Sequence, residues 1–61
     1  MNTVEEVTLH LEEMKKLGLP VPARAIPYCC ARIDEIEEYR DSGMKISEIA
    51  DLVIDLVSLS K

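Results

Sequence analysis

The sequence has few aromatic residues and no long apolar run. Tryptophan and phenylalanine are absent, and Tyr28 and Tyr39 are the only aromatic side chains. We therefore expect an aliphatic core. Since 48% of the 61 residues are apolar and charges lie between them, we expect one folded domain over residues 1–61. A chain this short buries only about 60% of its unfolded surface, which leaves stability marginal and favours a second subunit.

Groups that commonly catalyse reactions are also scarce. The one histidine, His10, lies four residues after Glu6, a spacing typical of a surface charge pair on a helix. Gly18 and Gly43 are the only glycines, which excludes a glycine-rich phosphate loop. We expect no enzymatic activity and no cofactor.

The only two cysteines, Cys29 and Cys30, are adjacent. Disulfides that staple small folds join cysteines well separated in the chain, so a reduced, cytoplasmic setting is favoured. Neighbouring side chains on a helix point about 100° apart, which is a poor arrangement for gripping one metal ion. We interpret both as small core residues. A metal or redox role is the alternative.

The formal net charge is −5, from twelve acidic and seven basic residues. A negative protein repels the phosphate backbone, so we expect no nucleic acid partner. No apolar run approaches the roughly 18 residues of a membrane helix, and the acidic N-terminal stretch lacks the apolar region of a signal peptide. Since the chain begins with Met1, we expect it to be complete.

Apolar spacing predicts an all-α fold of three helices, at about residues 3–17, 27–42 and 46–60. Thr3 and Glu6 have the spacing of a capping box at the first helix, and Gly18 is placed to end it. Leu9 falls on the outer side of that helix. The predicted core stripe is Val4, Val7, Leu11, Met14 and Leu17.

Pro20, Pro22 and Pro27 make residues 18–27 a stiff connector, which we expect to fold back on the helices. A binding role for this proline segment is the alternative. Pro27 suits the first position of the second helix, and Gly43 ends that helix, giving a helix pair joined at a glycine turn. The predicted core line of the second helix is Ile26, Cys29, Ile33 and Ile36.

The third helix carries more apolar surface than its own chain needs. Its apolar residues span roughly 220° of the helix, whereas about 100° suffices for packing on a core. We therefore expect another polypeptide to bind it, in the simplest case a second copy in a homodimer. Two flanks, about 140° apart, are the predicted interface: Leu52, Leu56 and Leu59 on one, and Ile54 and Val57 on the other.

The segment IEEYRDSGMKISEIADLV resembles the first two helices of a helix-turn-helix, as in resolvase-like and transposase-like DNA-binding domains. Gly43 takes the turn position, and Glu48, Ile49 and Ala50 match a tripeptide of those families. The resemblance implies DNA binding through Arg24, Arg32, Arg40 and Lys45. However, Ile54 replaces the glycine of the second turn, and the remaining residues carry no base-reading side chains.

The acidic residues form two stripes, which we interpret as solvated helix faces: Asp34, Glu38 and Asp41, and Glu48, Asp51 and Asp55. Mimicry of DNA phosphates toward a basic protein is the alternative.

We predict a small acidic regulator that binds a partner protein, similar to the inhibitors and antirepressors of phages and mobile elements. Its expected target is a basic or DNA-binding regulator. A minimal dimeric DNA-binding regulator is the runner-up, and a purely structural oligomer is a third reading.

Overall fold

The computed structural model describes residues 2–59 and contains four helices within that range. They are α1 (Thr3–Lys16), α2 (Ala25–Ala31), α3 (Ile33–Asp41) and α4 (Ile46–Leu59). No strand occurs among those residues, so the all-α prediction is confirmed. None of the four described helices has the length and apolarity to cross a membrane. The expected extension of the last helix to Ser60 lies outside the described residues.

The start of α1 is capped by Asn2. The Asn2 side chain accepts a 2.8 Å hydrogen bond from the backbone N–H of Glu5, which satisfies one of the free donors at the helix start. The predicted capping role of Thr3 was therefore wrong. Thr3 is the first helical residue, and its hydroxyl donates a 2.7 Å bond to the Glu37 carboxylate, joining α1 to α3.

Glycine ends both α1 and α3, as the sequence predicted. Gly18 and Gly43 have φ angles of +83° and +101°, in the left-handed region that residues with a Cβ rarely adopt. At each end, the N–H groups of the glycine and of the next residue bond to carbonyls of the last helical turn, at 3.0 to 3.2 Å. This is the Schellman arrangement, and it fixes the direction in which the chain leaves each helix.

The predicted second helix is divided in two at Arg32. Arg32 has φ −131° and ψ 51°, outside the helical region, and its N–H bonds to the Cys29 carbonyl only three residues back. The break turns α3 relative to α2. Ile36 consequently enters the core, whereas Ile33, which we expected there, is 52% exposed. The structure therefore has four helices in residues 2–59 where three were predicted. The break was missed because neither proline nor glycine marks it in the sequence.

Pro27 lies inside α2 rather than at its first position, because the helix begins at Ala25. It still belongs to the first turn, where backbone N–H groups have no partner within the helix, so the missing donor is tolerated. The helix thus starts within the segment predicted as connector, and the linker proper is shorter than expected.

The core is aliphatic, as predicted, and every helix contributes to it. The radius of gyration is 10.6 Å, against about 10.5 Å expected for a folded domain of this length. The chain therefore closes around its own core. The buried apolar residues are Val4, Val7, Leu11, Ala25, Cys29, Ile36, Ile49, Ala50, Val53 and Val57.

Candidate protein-interaction surface

The inner face of α4 is a narrow part of its apolar surface. Its buried residues are Ile49, Ala50, Val53 and Val57, which span about 100° of the helix. They pack against α1, α2 and α3. Since this arc is the width that a helix needs to pack on its own core, apolar residues remain on both flanks.

One flank is partly exposed, most of all at its C-terminal end. Leu52 and Leu56 are partly buried, and Leu59 is 83% exposed. The spacings of four and three residues align the three side chains along one side of α4. We refer to Leu52, Leu56 and Leu59 as the leucine row.

The other flank lies beside the protein's own connector. Ile54 packs against the core and forms a shallow groove of about 390 Å³ with Pro20, Val21 and Pro22. Val57 is only 5% exposed. Of the five predicted interface residues, Val57 is thus enclosed by its own chain and Ile54 is partly covered. Ile54 is half-buried, like Leu52 and Leu56, and an interface on this flank stays a prediction.

Arg24 secures the connector to the end of α4. Its guanidinium Nη2 donates a 2.9 Å hydrogen bond to the carbonyl oxygen of Val57. That carbonyl belongs to the last turn of the helix, where carbonyls have no partner within the helix and a positive charge is stabilising. The same contact joins the connector to α4.

The six predicted acidic residues are all exposed. We call Glu48, Asp51 and Asp55, which follow one side of α4, the carboxylate row. Glu48 also accepts a 2.8 Å hydrogen bond from the backbone N–H of Lys45, which is half of a capping box at the start of α4. The carboxylate row borders the leucine row, since the two together span about 140° of the helix.

A tyrosine cluster holds α2 against α3, and sequence reasoning missed it. The hydroxyls of Tyr28 and Tyr39 donate to the same oxygen of Glu35, at 2.9 and 3.0 Å. The Arg32 guanidinium lies 4.7 Å from the centre of the Tyr28 ring, a cation–π contact. Tyr28 lies seven residues before Glu35, and Tyr39 lies four residues after it. These spacings were a usable signal in the sequence.

Hydrogen bonding and burial raise the pKa of both tyrosines. For Tyr28 the main cause of the raised pKa is its hydrogen bond to Glu35. For Tyr39 the main cause is burial, followed by its own hydrogen bond to Glu35. Both effects favour the neutral phenol over the phenolate. The cluster therefore acts as a clamp with its two protons in place at neutral pH.

The two cysteines have different environments. Cys29 is fully buried, and burial, with a smaller effect of Cys30, raises its pKa to about 11, so it remains a thiol at neutral pH. Cys30 is exposed, so its predicted place in the core was wrong. Within residues 2–59 no three His, Cys, Asp or Glu side chains are grouped so that they could hold a metal ion.

The cations that the helix-turn-helix resemblance assigned to DNA mostly contact their own chain. Arg24 bonds to Val57, Arg32 stacks on Tyr28, and Arg40 donates a 3.0 Å bond to the Met44 carbonyl. The helix pair α3–Gly43–α4 is present, but α4 continues through Ile54 without a second turn. Within residues 2–59 the geometry is that of a helix hairpin, and α4 takes up the positions where the resemblance would place the second turn.

Comparison with protein families, with curated proteins and with solved structures found no match to this chain.

Proposed function

We propose that this protein is a non-catalytic regulator that acts by occupying the surface of another protein through the leucine row. The observation that carries the proposal is the 83% exposure of Leu59 beside two further leucines on the same side of α4. Apolar residues that are aligned and exposed on a helix are typical of protein-binding surfaces. An inhibitor or antirepressor of the kind encoded by phages and mobile elements fits the size and the acidity.

The proposed partner is a basic or DNA-binding regulator. The net charge of −5 and the exposed carboxylate row would attract such a protein and speed the encounter. Both rows would then contact the partner together, with leucines supplying apolar contact and carboxylates supplying orientation. The free, unlinked cysteines agree with a cytoplasmic setting.

Self-association is proposed on the same row. The connector occupies the Ile54 side, so a second copy has the leucine row as its available apolar flank on α4. A homodimer and a partner complex would therefore compete for one surface. This differs from the arrangement of two independent flanks that the sequence suggested.

The alternative function is a minimal dimeric DNA-binding regulator. The α3–Gly43–α4 hairpin favours it, while the intramolecular contacts of Arg24, Arg32 and Arg40 count against it. Fluorescence anisotropy with labelled duplex DNA separates the two. Salt-sensitive binding at micromolar protein would favour the DNA-binding function, because phosphate contacts weaken as salt rises.

The proposal is tested by capture from native lysate with an affinity-tagged protein. The wild type should retain a discrete partner, and the double variant Leu52→Ser/Leu59→Ser should lose it. A matched control is Leu9→Ser/Leu17→Ser, which removes two exposed leucines from the α1 region. Equal capture by the wild type and the leucine-row variant would refute the proposal.

A further inference from the structure

We infer that the leucine row binds a cationic amphipathic helix of another protein in preference to a second copy of this chain. This inference rests on the proposed function and specifies the chemistry of the partner. It concerns the combination of the leucine row and the carboxylate row on one side of α4.

The two rows form one continuous surface. At about 100° per residue, Asp51, Asp55 and Glu48 cover one part of the outer side of α4, and the leucine row follows directly beside them. The three carboxylates and Leu59 are exposed, and Leu52 and Leu56 are partly exposed. A helix lying along α4 would contact both rows at once.

The charge on this surface has one sign. Residues 46–59, which make up the described α4, include no lysine or arginine. Among the described residues, Lys45 precedes the helix and Arg24 bonds to the Val57 carbonyl. A complementary helix therefore needs Lys or Arg beside its apolar positions, at spacings of three and four residues.

A second copy fits this surface less well. A two-fold dimer places the same patch of both subunits against itself, so the two carboxylate rows would approach each other without cations between them. Leu52 and Leu56 are already partly buried within their own chain. Self-pairing would thus gain limited apolar contact while bringing like charges together. A cationic helix would gain both apolar contact with the leucines and attraction to the carboxylates.

The test uses a synthetic helical peptide with one leucine face bordered by lysines, and a matched peptide with glutamates in place of the lysines. Isothermal titration calorimetry of the full chain should show binding of the lysine peptide only. The affinity should fall as salt rises, because exposed charge pairs are screened. Sedimentation of the protein alone should show self-association that is weaker than the peptide complex and that strengthens with salt.

Two neutralised variants test where the attraction arises. Glu48→Gln/Asp51→Asn/Asp55→Asn should weaken lysine-peptide binding about tenfold, from three modest charge contacts. The glutamine at 48 keeps an acceptor for the Lys45 N–H. Glu6→Gln/Glu12→Gln/Glu13→Gln changes the net charge by the same amount on α1, where all three side chains are exposed, and should change binding less than twofold.

Several results would overturn the inference. These are equal losses in both triple variants, no binding of the lysine peptide, and a homodimer that outcompetes the peptide. If Leu52→Ser/Leu59→Ser abolishes partner capture while the carboxylate variant has no effect on the peptide, the inference fails and the proposed function stands. If the leucine-row variant captures the partner normally, the proposed function itself fails.

Discussion

The guanidinium of Arg24 donates a hydrogen bond to the carbonyl of Val57, 33 residues later in the chain. This contact joins the connector to the last turn of α4 and holds one side of that helix against its own fold. The leucine row lies on the other side of α4, away from the connector. The asymmetry of α4 is thus a consequence of where the proline segment lies.

Removing that contact should loosen the end of α4. We expect Arg24→Gln to lower the free energy of unfolding by about 1 kcal/mol, because a charge-assisted bond to a helix C-terminal carbonyl is lost. Urea unfolding followed by circular dichroism measures the change. Lys16→Gln, an exposed cation in the last turn of α1, is the control and should change stability by less than about 0.5 kcal/mol. Equal effects would show that the Arg24–Val57 bond contributes nothing specific.

Two leucines on α1 provide a matched test of the core. Leu11 is fully buried, whereas Leu9 is 46% exposed. We expect Leu11→Ala to destabilise the fold by about 2–5 kcal/mol, which in a chain this small can leave it unfolded. Leu9→Ala should cost less than about 0.5 kcal/mol. Thermal denaturation of both variants gives the comparison, and a larger effect at Leu9 would contradict the placement of α1.

The tyrosine cluster predicts a specific pH dependence. Because folding raises the pKa of Tyr28 and Tyr39 above the ordinary value of 10.0, the folded state holds these protons more tightly than the unfolded state. Their contribution to stability is complete below pH 10 and is lost as the pH rises through the folded pKa values. Cys29, with its pKa raised to about 11, acts in the same direction.

Tyrosinate absorbance measures this directly, since the chain has no tyrosine outside the cluster. The midpoint in the folded protein should lie above that in denaturant. Glu35→Gln should lower it, because the carboxylate raises both pKa values. Asp34→Asn, an exposed neighbour, is the control. If Glu35→Gln leaves the midpoint unchanged, Glu35 does not hold the two hydroxyls.

Gly43 provides a test of the turn between α3 and α4. Gly43→Ala should destabilise the fold by about 1–2 kcal/mol, since φ +101° is unfavourable for any residue with a Cβ. No heavy atom lies within 4 Å of the position that the added Cβ would take, so the effect comes from the backbone alone. Chemical denaturation measures it, and an unchanged midpoint would show that the turn relaxes freely.

Local patterns in the sequence predicted the parts of the fold that local forces determine. The α1 stripe from Val4 to Leu11, the glycine ends at Gly18 and Gly43, and the start of α4 at Ile46 were recognised from spacing and turn residues. Leu17, predicted in the same stripe, was wrong, because it follows the end of α1 and is 75% exposed. The break at Arg32 was not, because it occurs without proline or glycine and is accompanied by stacking on Tyr28. The Thr3–Glu37 bond was also missed, since it joins residues 34 positions apart.

The candidate surface was predicted only in part, because it also depends on contacts between residues far apart in the chain. Periodicity located the apolar excess of α4, but it gave no means of deciding which flank the connector would cover. That choice depends on the Arg24–Val57 bond and on the packing of Val21 against the core. The contrast between exposed Leu59 and buried Val57 comes from the helix itself, because the two residues lie about 200° apart and Val57 belongs to the inner face.

The most direct test of the central claim is an NMR titration of isotope-labelled protein with the leucine–lysine helical peptide. The account predicts that backbone and methyl shifts change along the outer side of α4, at Asp51, Leu52, Asp55, Leu56 and Leu59. Resonances of Ile54 and of the outer face of α1 should remain in place. Changes centred on α1 or on the groove at Pro20 to Pro22, with an unperturbed leucine row, would contradict it.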